Sequence, residues 1–257
     1  MIEGSDETVV RELLSPFVPF LDDLSLYEII VNRPGQVLTE GSGGWRSHDL
    51  PELSFEKLLR LARAVASFSH QSIDETRPIL SATLPGEERI QIVIPPATSK
   101  GTVSITIRKP SSATLSLGDL EKGGLFADMT PGGHVAGATD RKLIDLHQRG
   151  AWAEFLREAV LARKNIVISG ATGSGKTTLS KALIGHIPDD ERVISIEDTP
   201  ELVIHQPNHV RCSILREARG LRESVRRNFW NPVCACGPIE SFCRSCAMGR
   251  LSITSVT

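Results

Sequence analysis

The chain of 257 residues sets 29 Lys+Arg against 31 Asp+Glu for a net charge of −2, and 40% of it is apolar. That is enough apolar material for one large core or two ordinary ones, and the charge is too balanced for a generally basic nucleic-acid binder. No apolar run approaches the ~20 residues that cross a bilayer, and the opening MIEGSDETVV lacks the basic and apolar regions of a secretory leader, so a cytoplasmic protein is expected.

In chain order, ETVVRELLSPFVPFL carries helical spacing of apolar residues up to Pro16, and YEIIVNRPGQVLTEGSGGW reads as two strands around a turn at Pro34-Gly35. SFEKLLRLARAVASFSH places Phe55, Leu58, Ala62 and Val65 on one helical stripe behind Ser54 as N-cap. PILSATLP, ERIQIVIPP and TVSITIRKP are short strand-like runs ended by Pro or Gly, so residues 1–110 are expected to form an N-terminal mixed α/β domain. Residues 111–140, rich in Gly, Ser, Thr and Pro with weak periodicity, read as a linker. Then DRKLIDLHQRG and AWAEFLREAVLAR are helical by pattern. NIVISG, GATGSGKTT, LSKALIGHIP and RVISIEDTP follow as strand, glycine loop, helix and strand, an alternation that implies a parallel sheet.

The segment Gly170-Ala171-Thr172-Gly173-Ser174-Gly175-Lys176-Thr177 satisfies G-x-x-x-x-G-K-[ST] between an apolar strand and a helix, the context this phosphate loop requires. Glycines let successive backbone N–H groups point inward, and the helix N-terminus favours negative charge. Lys176 can bridge the outer phosphates of a nucleoside triphosphate, and the Thr177 hydroxyl can ligate Mg²⁺. The bland alternative is a glycine turn that binds nothing. Glu197, Asp198 and Glu201 follow the VISIE strand, where open α/β sheets place ligands. A carboxylate there could orient or deprotonate water, or the three could form a solvated acidic turn before and after Pro200. His205 and His209 bracket Pro207, which spoils a helical pair of metal ligands.

Taken together, VNRPGQV, RPILSATLPGEERIQIVIPPA, TVSITIRKPS, GATGSGKTTLSKALIGHIP and RVISIEDTPEL resemble, in order, the traffic ATPases of type IV secretion systems, the hexameric ATPase of VirB operons in particular. The resemblance spans roughly residues 20–210. It implies an N-terminal domain, a linker and a RecA-like P-loop NTPase domain (141–210, incomplete), with six subunits in a ring at the inner face of the cytoplasmic membrane beside inner-membrane secretion components. It implies ATP hydrolysis with Mg²⁺, powering pilus assembly or transfer of DNA or protein, with nucleotide held from Gly170 to Thr178 and a catalytic carboxylate at Glu197. Arg89 and Arg108 match family arginines that reach the nucleotide; otherwise they are strand-surface arginines. A pilus-assembly relative would look similar over the loop.

After Val210 the resemblance stops. Family members continue with a segment L-R-M-R-P-D-R-I-L-L-x-E-L-R-x-G that carries a Mg²⁺-associated carboxylate. Here residues 211–257 hold 8 Arg, 3 Glu, no Lys, no Asp and all 5 cysteines, a surplus of five positive charges against −7 for residues 1–210. A Cys codon begins TG, so one base out of phase it becomes NTG and encodes Leu, Met or Val. Read in that phase, Cys234 to Gly249 permits L-R-M-R-P-D-R-I-L-L-Q-E-L-R-D-G, and RLSITSV permits T-A-F-Y-Y-I-R. Residues 211–257 are therefore read as a frameshifted tail. The competing reading is a zinc knuckle on Cys234, Cys236, Cys243 and Cys246; a disulfide framework suits a cytoplasmic chain poorly. As expectations for behaviour, a nucleotide-binding fragment without turnover and a zinc-containing adaptor stand beside the ATPase.

Overall fold

The computed structural model describes residues 3–110, 116–127, 137–213 and 253–256. Its first element is α1 (Glu3–Leu13), which Ser15-Pro16-Phe17 ends as a single 3₁₀ turn before the short helix α2 (Val18–Leu21). Pro16 marks the break, because proline has no N–H to donate and sits best in the first turn of a helix. Next come β1 (Leu26–Val31) and β2 (Gln36–Gly41), joined at Pro34-Gly35, where Gly35 takes φ +79°. A third strand, β3 (Gly44–Asp49), was not expected from the sequence. Its residues GWRSHD carry no apolar alternation, and β3 forms because the Gly41–Gly44 turn returns it along β2 in register from Gln36↔Asp49 to Gly41↔Gly44.

Helix α3 (Phe55–Phe68) begins behind Ser54, whose hydroxyl accepts from the Lys57 amide at 3.2 Å and so satisfies one orphan donor of the first turn. The strands β4 (Ile79–Thr83), β5 (Arg89–Val93) and β6 (Ser104–Arg108) complete a six-stranded sheet in the order β3-β2-β1-β6-β5-β4, with every neighbouring pair antiparallel. Register decides its two faces. Ile29, Val31, Ile90, Ile92, Ile105, Ile107 and Leu80 point to one face and pack with Leu58, Leu61, Ala62 and Val65 of α3 and Val10, Leu14 and Phe17 from the N-terminus. The stripe on α3 read from the sequence meets this face, except that Phe55 is only partly buried.

Across the opposite face runs a row of register partners: Trp45, Glu40, Glu28, Arg108, Arg89 and Thr83. Within the span read as a linker, α4 (Leu117–Lys122) carries a capping box between Ser116 and Asp119, and α5 (Ala138–Gln148) starts before its end. The second half continues with α6 (Trp152–Leu161), β7 (Ile166–Ser169), α7 (Lys176–Ile184), β8 (Val193–Glu197) and β9 (His209–Ser213). Its described pairings are parallel: β8 with β9, and β7 with β10 (Ile253–Val256). β9 continues through the change in composition at residue 211.

The halves meet over the polar face of the sheet. Val93 and Ala97 pack on Val210 and Cys212, flanked by Ile79, Ile194 and Ile196. The Ser213 amide donates to the Ala97 carbonyl at 2.9 Å, and the Thr98 hydroxyl donates to the Arg211 carbonyl at 3.0 Å. The Asn32 amide nitrogen donates to Asn208 Oδ1 at 2.9 Å.

Candidate nucleotide site

Strand β7, the loop 170–175 and helix α7 are consecutive, so the loop is fixed at both ends by regular structure. Ile168 packs with Val160 of α6 and Leu183 of α7, which seats the strand and the helix on one small core. Between them Gly173 and Gly175 take φ +79° and +88°, a left-handed backbone in which any side chain would be strained. At Gly170 a Cβ would lie 2.5 Å from Ser174 Oγ, so that hydroxyl would have to turn away to admit a side chain. Gly175 is the N-cap of α7 and supplies no side-chain cap, so the amides of the first turn have no side-chain partner at that position. Residues 170–175 are exposed.

Lys176 folds back over this loop, and its ammonium donates to the carbonyls of Gly170 at 2.5 Å and Ala171 at 3.0 Å. The ammonium is thus held against the start of the loop, six and five residues back along the chain. Thr177 follows in the first turn of α7, half-buried, and Thr178 is exposed. The next turn is held by Ser180, buried, whose hydroxyl donates to the Lys176 carbonyl at 3.0 Å.

Glu197 ends β8 and is buried. Its Oε1 accepts from Ser195 Oγ at 2.8 Å and Arg211 Nε at 3.2 Å; its Oε2 accepts from the amides of Glu201 at 2.7 Å and Leu202 at 2.8 Å. Arg211 also donates to the Leu202 carbonyl at 2.8 Å. The carboxylate thus closes the turn 198–202 into a cage. Burial would push its pKa up, but the Leu202 and Glu201 amides, the Ser195 hydroxyl and the Arg211 charge outweigh that and hold it below the ordinary value. A carboxylate so placed anchors a turn; to take a proton from water it would first have to shed a donor. Ser195 meets Glu197 because residues two apart on β8 share a face, but the sequence offered no sign of the Arg211 contact, which comes only through the pairing of β8 with β9.

Arg89 and Arg108 are register partners on β5 and β6, exposed on the N-terminal sheet rather than on the loop. Arg192, which no motif singled out, precedes β8 and is buried between the halves: it donates from Nη1 to Glu28 Oε2 at 3.3 Å and from Nη2 to Thr106 Oγ1 at 3.0 Å. His209 Nδ1 lies 3.0 Å from the Gln206 carbonyl, and His205 is exposed. Among the described residues no three His, Cys, Asp or Glu side chains are grouped to hold a metal ion. Cys212 is buried and free, and burial raises its thiol to about 11. Cys234, Cys236, Cys243 and Cys246, and with them the zinc reading, lie outside the described residues. No described helix is long and apolar enough to cross a membrane.

The family described as "Type II/IV secretion system protein" matches residues 142–228. The type IV secretion system protein VirB11 of Bartonella henselae is 54% identical over 230 residues, covering 84% of this chain and 65% of that protein. VirB11 of Brucella suis is 45% identical over 207 residues, covering 80% and 57%. The PtlH homolog of Bordetella bronchiseptica is 46% identical over 193 residues, covering 75% and 56%. The chain therefore spans about 65% of the length of its Bartonella relatives. Among solved structures, the crystal structure of the VirB11 ATPase from the Brucella suis type IV secretion system in complex with sulphate superposes with a TM-score of 0.84 at 38% identity, covering 97% of this chain and 72% of that one.

Proposed function

Starting from the fact that the chain belongs to the VirB11 family of type IV secretion system proteins, we propose that it binds ATP at residues 170–178 and serves an ATPase that energises type IV secretion, in pilus assembly or in transfer of DNA or protein. The observation that carries this reading is the loop itself. Its left-handed glycines, the uncapped first turn of α7 and the Lys176 ammonium lie together in one loop, whose residues 170–175 are exposed.

The residues present fit a triphosphate and its Mg²⁺. Backbone amides from Thr172 to Thr177 would face the phosphate oxygens, and the helix dipole adds favourable potential. Lys176 would exchange its two carbonyl partners for phosphate oxygens, a charge-assisted contact that is stronger than the one it leaves. Thr177 would hold Mg²⁺ through its hydroxyl, and the metal would neutralise charge developing on the outer phosphates. Arg89 and Arg108 would reach the nucleotide from the N-terminal sheet. Glu197 would orient the attacking water once released from one of its donors; while the cage stands, turnover is expected to be weak. A nucleotide-binding chain without turnover is the second reading, and the four donors that engage the two carboxylate oxygens of Glu197 favour it.

A homohexamer working with inner-membrane secretion components, in the cytoplasm at the membrane's inner face, completes the reading. Calorimetric titration with ATP and Mg²⁺ tests its base. Binding is expected for the parent chain and a loss of at least about tenfold, ~1.4 kcal/mol, for Lys176→Ala. Folded parent protein that takes up no nucleotide would end the reading.

A further inference from the structure

Arg192 is a buried, charged link between the halves, its side chain 4% exposed against 9% for Glu28. A guanidinium taken out of water is tolerated only when paired and hydrogen-bonded. Here the pairing has a direction. Glu28 and Arg108 are partners across β1 and β6, and Thr106 lies two residues before Arg108, so Glu28, Arg108 and Thr106 share one sheet face. The two ends of the Arg192 fork straddle consecutive rows of that face, one through Glu28 and one through Thr106. Sliding the contact one residue along β6 would present Ile105 or Ile107, whose side chains lie in the opposite core.

A buried ion pair adds little stability over apolar residues of similar volume. What its geometry does add is a single register. The rest of the joint is the apolar contact of Val93 and Ala97 with Val210 and Cys212, the Asn32–Asn208 amide pair, and the hydrogen bonds of the Ser213 amide to the Ala97 carbonyl and of the Thr98 hydroxyl to the Arg211 carbonyl. Of these contacts, the forked cation is the one made to the rows of Glu28 and Thr106, where the Arg108–Arg89 row begins.

We propose that Arg192 is a positioning residue, which through Glu28 and Thr106 sets the Arg108–Arg89 row in register with the nucleotide-binding half. This rests on the reading that residues 170–178 bind nucleotide, and it predicts that the sheet row and the loop respond together when they do. Replacing Arg192 breaks that link while leaving the loop's own residues untouched.

Amide exchange by mass spectrometry on the full chain, with and without ATP and Mg²⁺, tests this in Arg192→Met, Arg192→Lys and Thr106→Val. Without nucleotide, Arg192→Met is expected to speed exchange about tenfold in residues 104–108 and 193–197 while residues 58–66 of α3 keep their protection. Thr106→Val and Arg192→Lys, each keeping one of the two partners, should fall between. With nucleotide, the parent should gain protection in both 170–178 and 104–108, and Arg192→Met only in 170–178. Parental exchange in Arg192→Met at 104–108 would overturn the proposal, as would equal loss of protection in α3, which would mean a role in general folding alone. A parent loop that ignores nucleotide would sink the nucleotide reading instead, and the nucleotide-free comparison would still decide whether Arg192 sets the register.

Discussion

Glu197 shows how a residue's role depends on how its own strand and turn fold back on it, and on one partner from the next strand. The motif places a carboxylate at the end of a strand, where it could work as a base. The structure surrounds it with Ser195, Arg211 and two amides of the following turn. Because its folded pKa lies below the ordinary 4.5, the cage contributes stability in full above that value and loses it as pH falls through the lowered one. Glu197→Gln should therefore be less stable than the parent near neutrality, with the gap closing as the solution is acidified through and below pH 4.5. Urea unfolding at several pH values reads this directly, and a gap that stays constant across the acid range would contradict the cage. The glycine loop 170–175 is the opposite case. Gly170, Gly173, Gly175 and Lys176 were legible because the demands on them are local: a turn that needs positive φ, a close approach, and a charge six residues from the carbonyl it meets.

Among the elements, those with strong internal pattern appear where expected. Helix α3 has its apolar stripe and its cap, and Ser54→Ala should cost about 1 kcal/mol of stability by removing the acceptor for the Lys57 amide. Denaturant midpoints would show it; Ser54→Asp, which keeps an acceptor, should lose much less. Strand β3 was missed because GWRSHD has neither apolar alternation nor strong β-formers beyond Trp45; pairing with β2 alone makes it a strand. The short helix α4 was hidden in a segment of weak periodicity, and its signal was the capping box of Ser116 and Asp119 rather than any apolar face. The antiparallel order of the N-terminal sheet was not readable either. Strand identity is a local property, but which edge each strand joins depends on contacts far along the chain, such as β1 with β6.

At the scale of the molecule, one sheet supports two different contacts. Its apolar face carries the core with α1 and α3, and Ile107→Ala, at a fully buried position in that core, should cost about 2–5 kcal/mol. Thermal or denaturant unfolding checks this, and a loss well under that range would mean the site collapses around the cavity. Its polar face receives the second half through Arg192, Asn208, Val210 and Cys212. By itself the sequence determined the family, the glycine loop between strand and helix, the helix stripe and the strand-forming runs, because glycine conformation, hydrophobic period and a fixed motif spacing all act within a few residues. Only the tertiary structure decided the sheet order, the cage on Glu197 and the burial of Arg192 against Glu28 and Thr106, since each needs groups 14 to 164 residues apart to meet. Such meetings are set by packing and register, and no local periodicity encodes them.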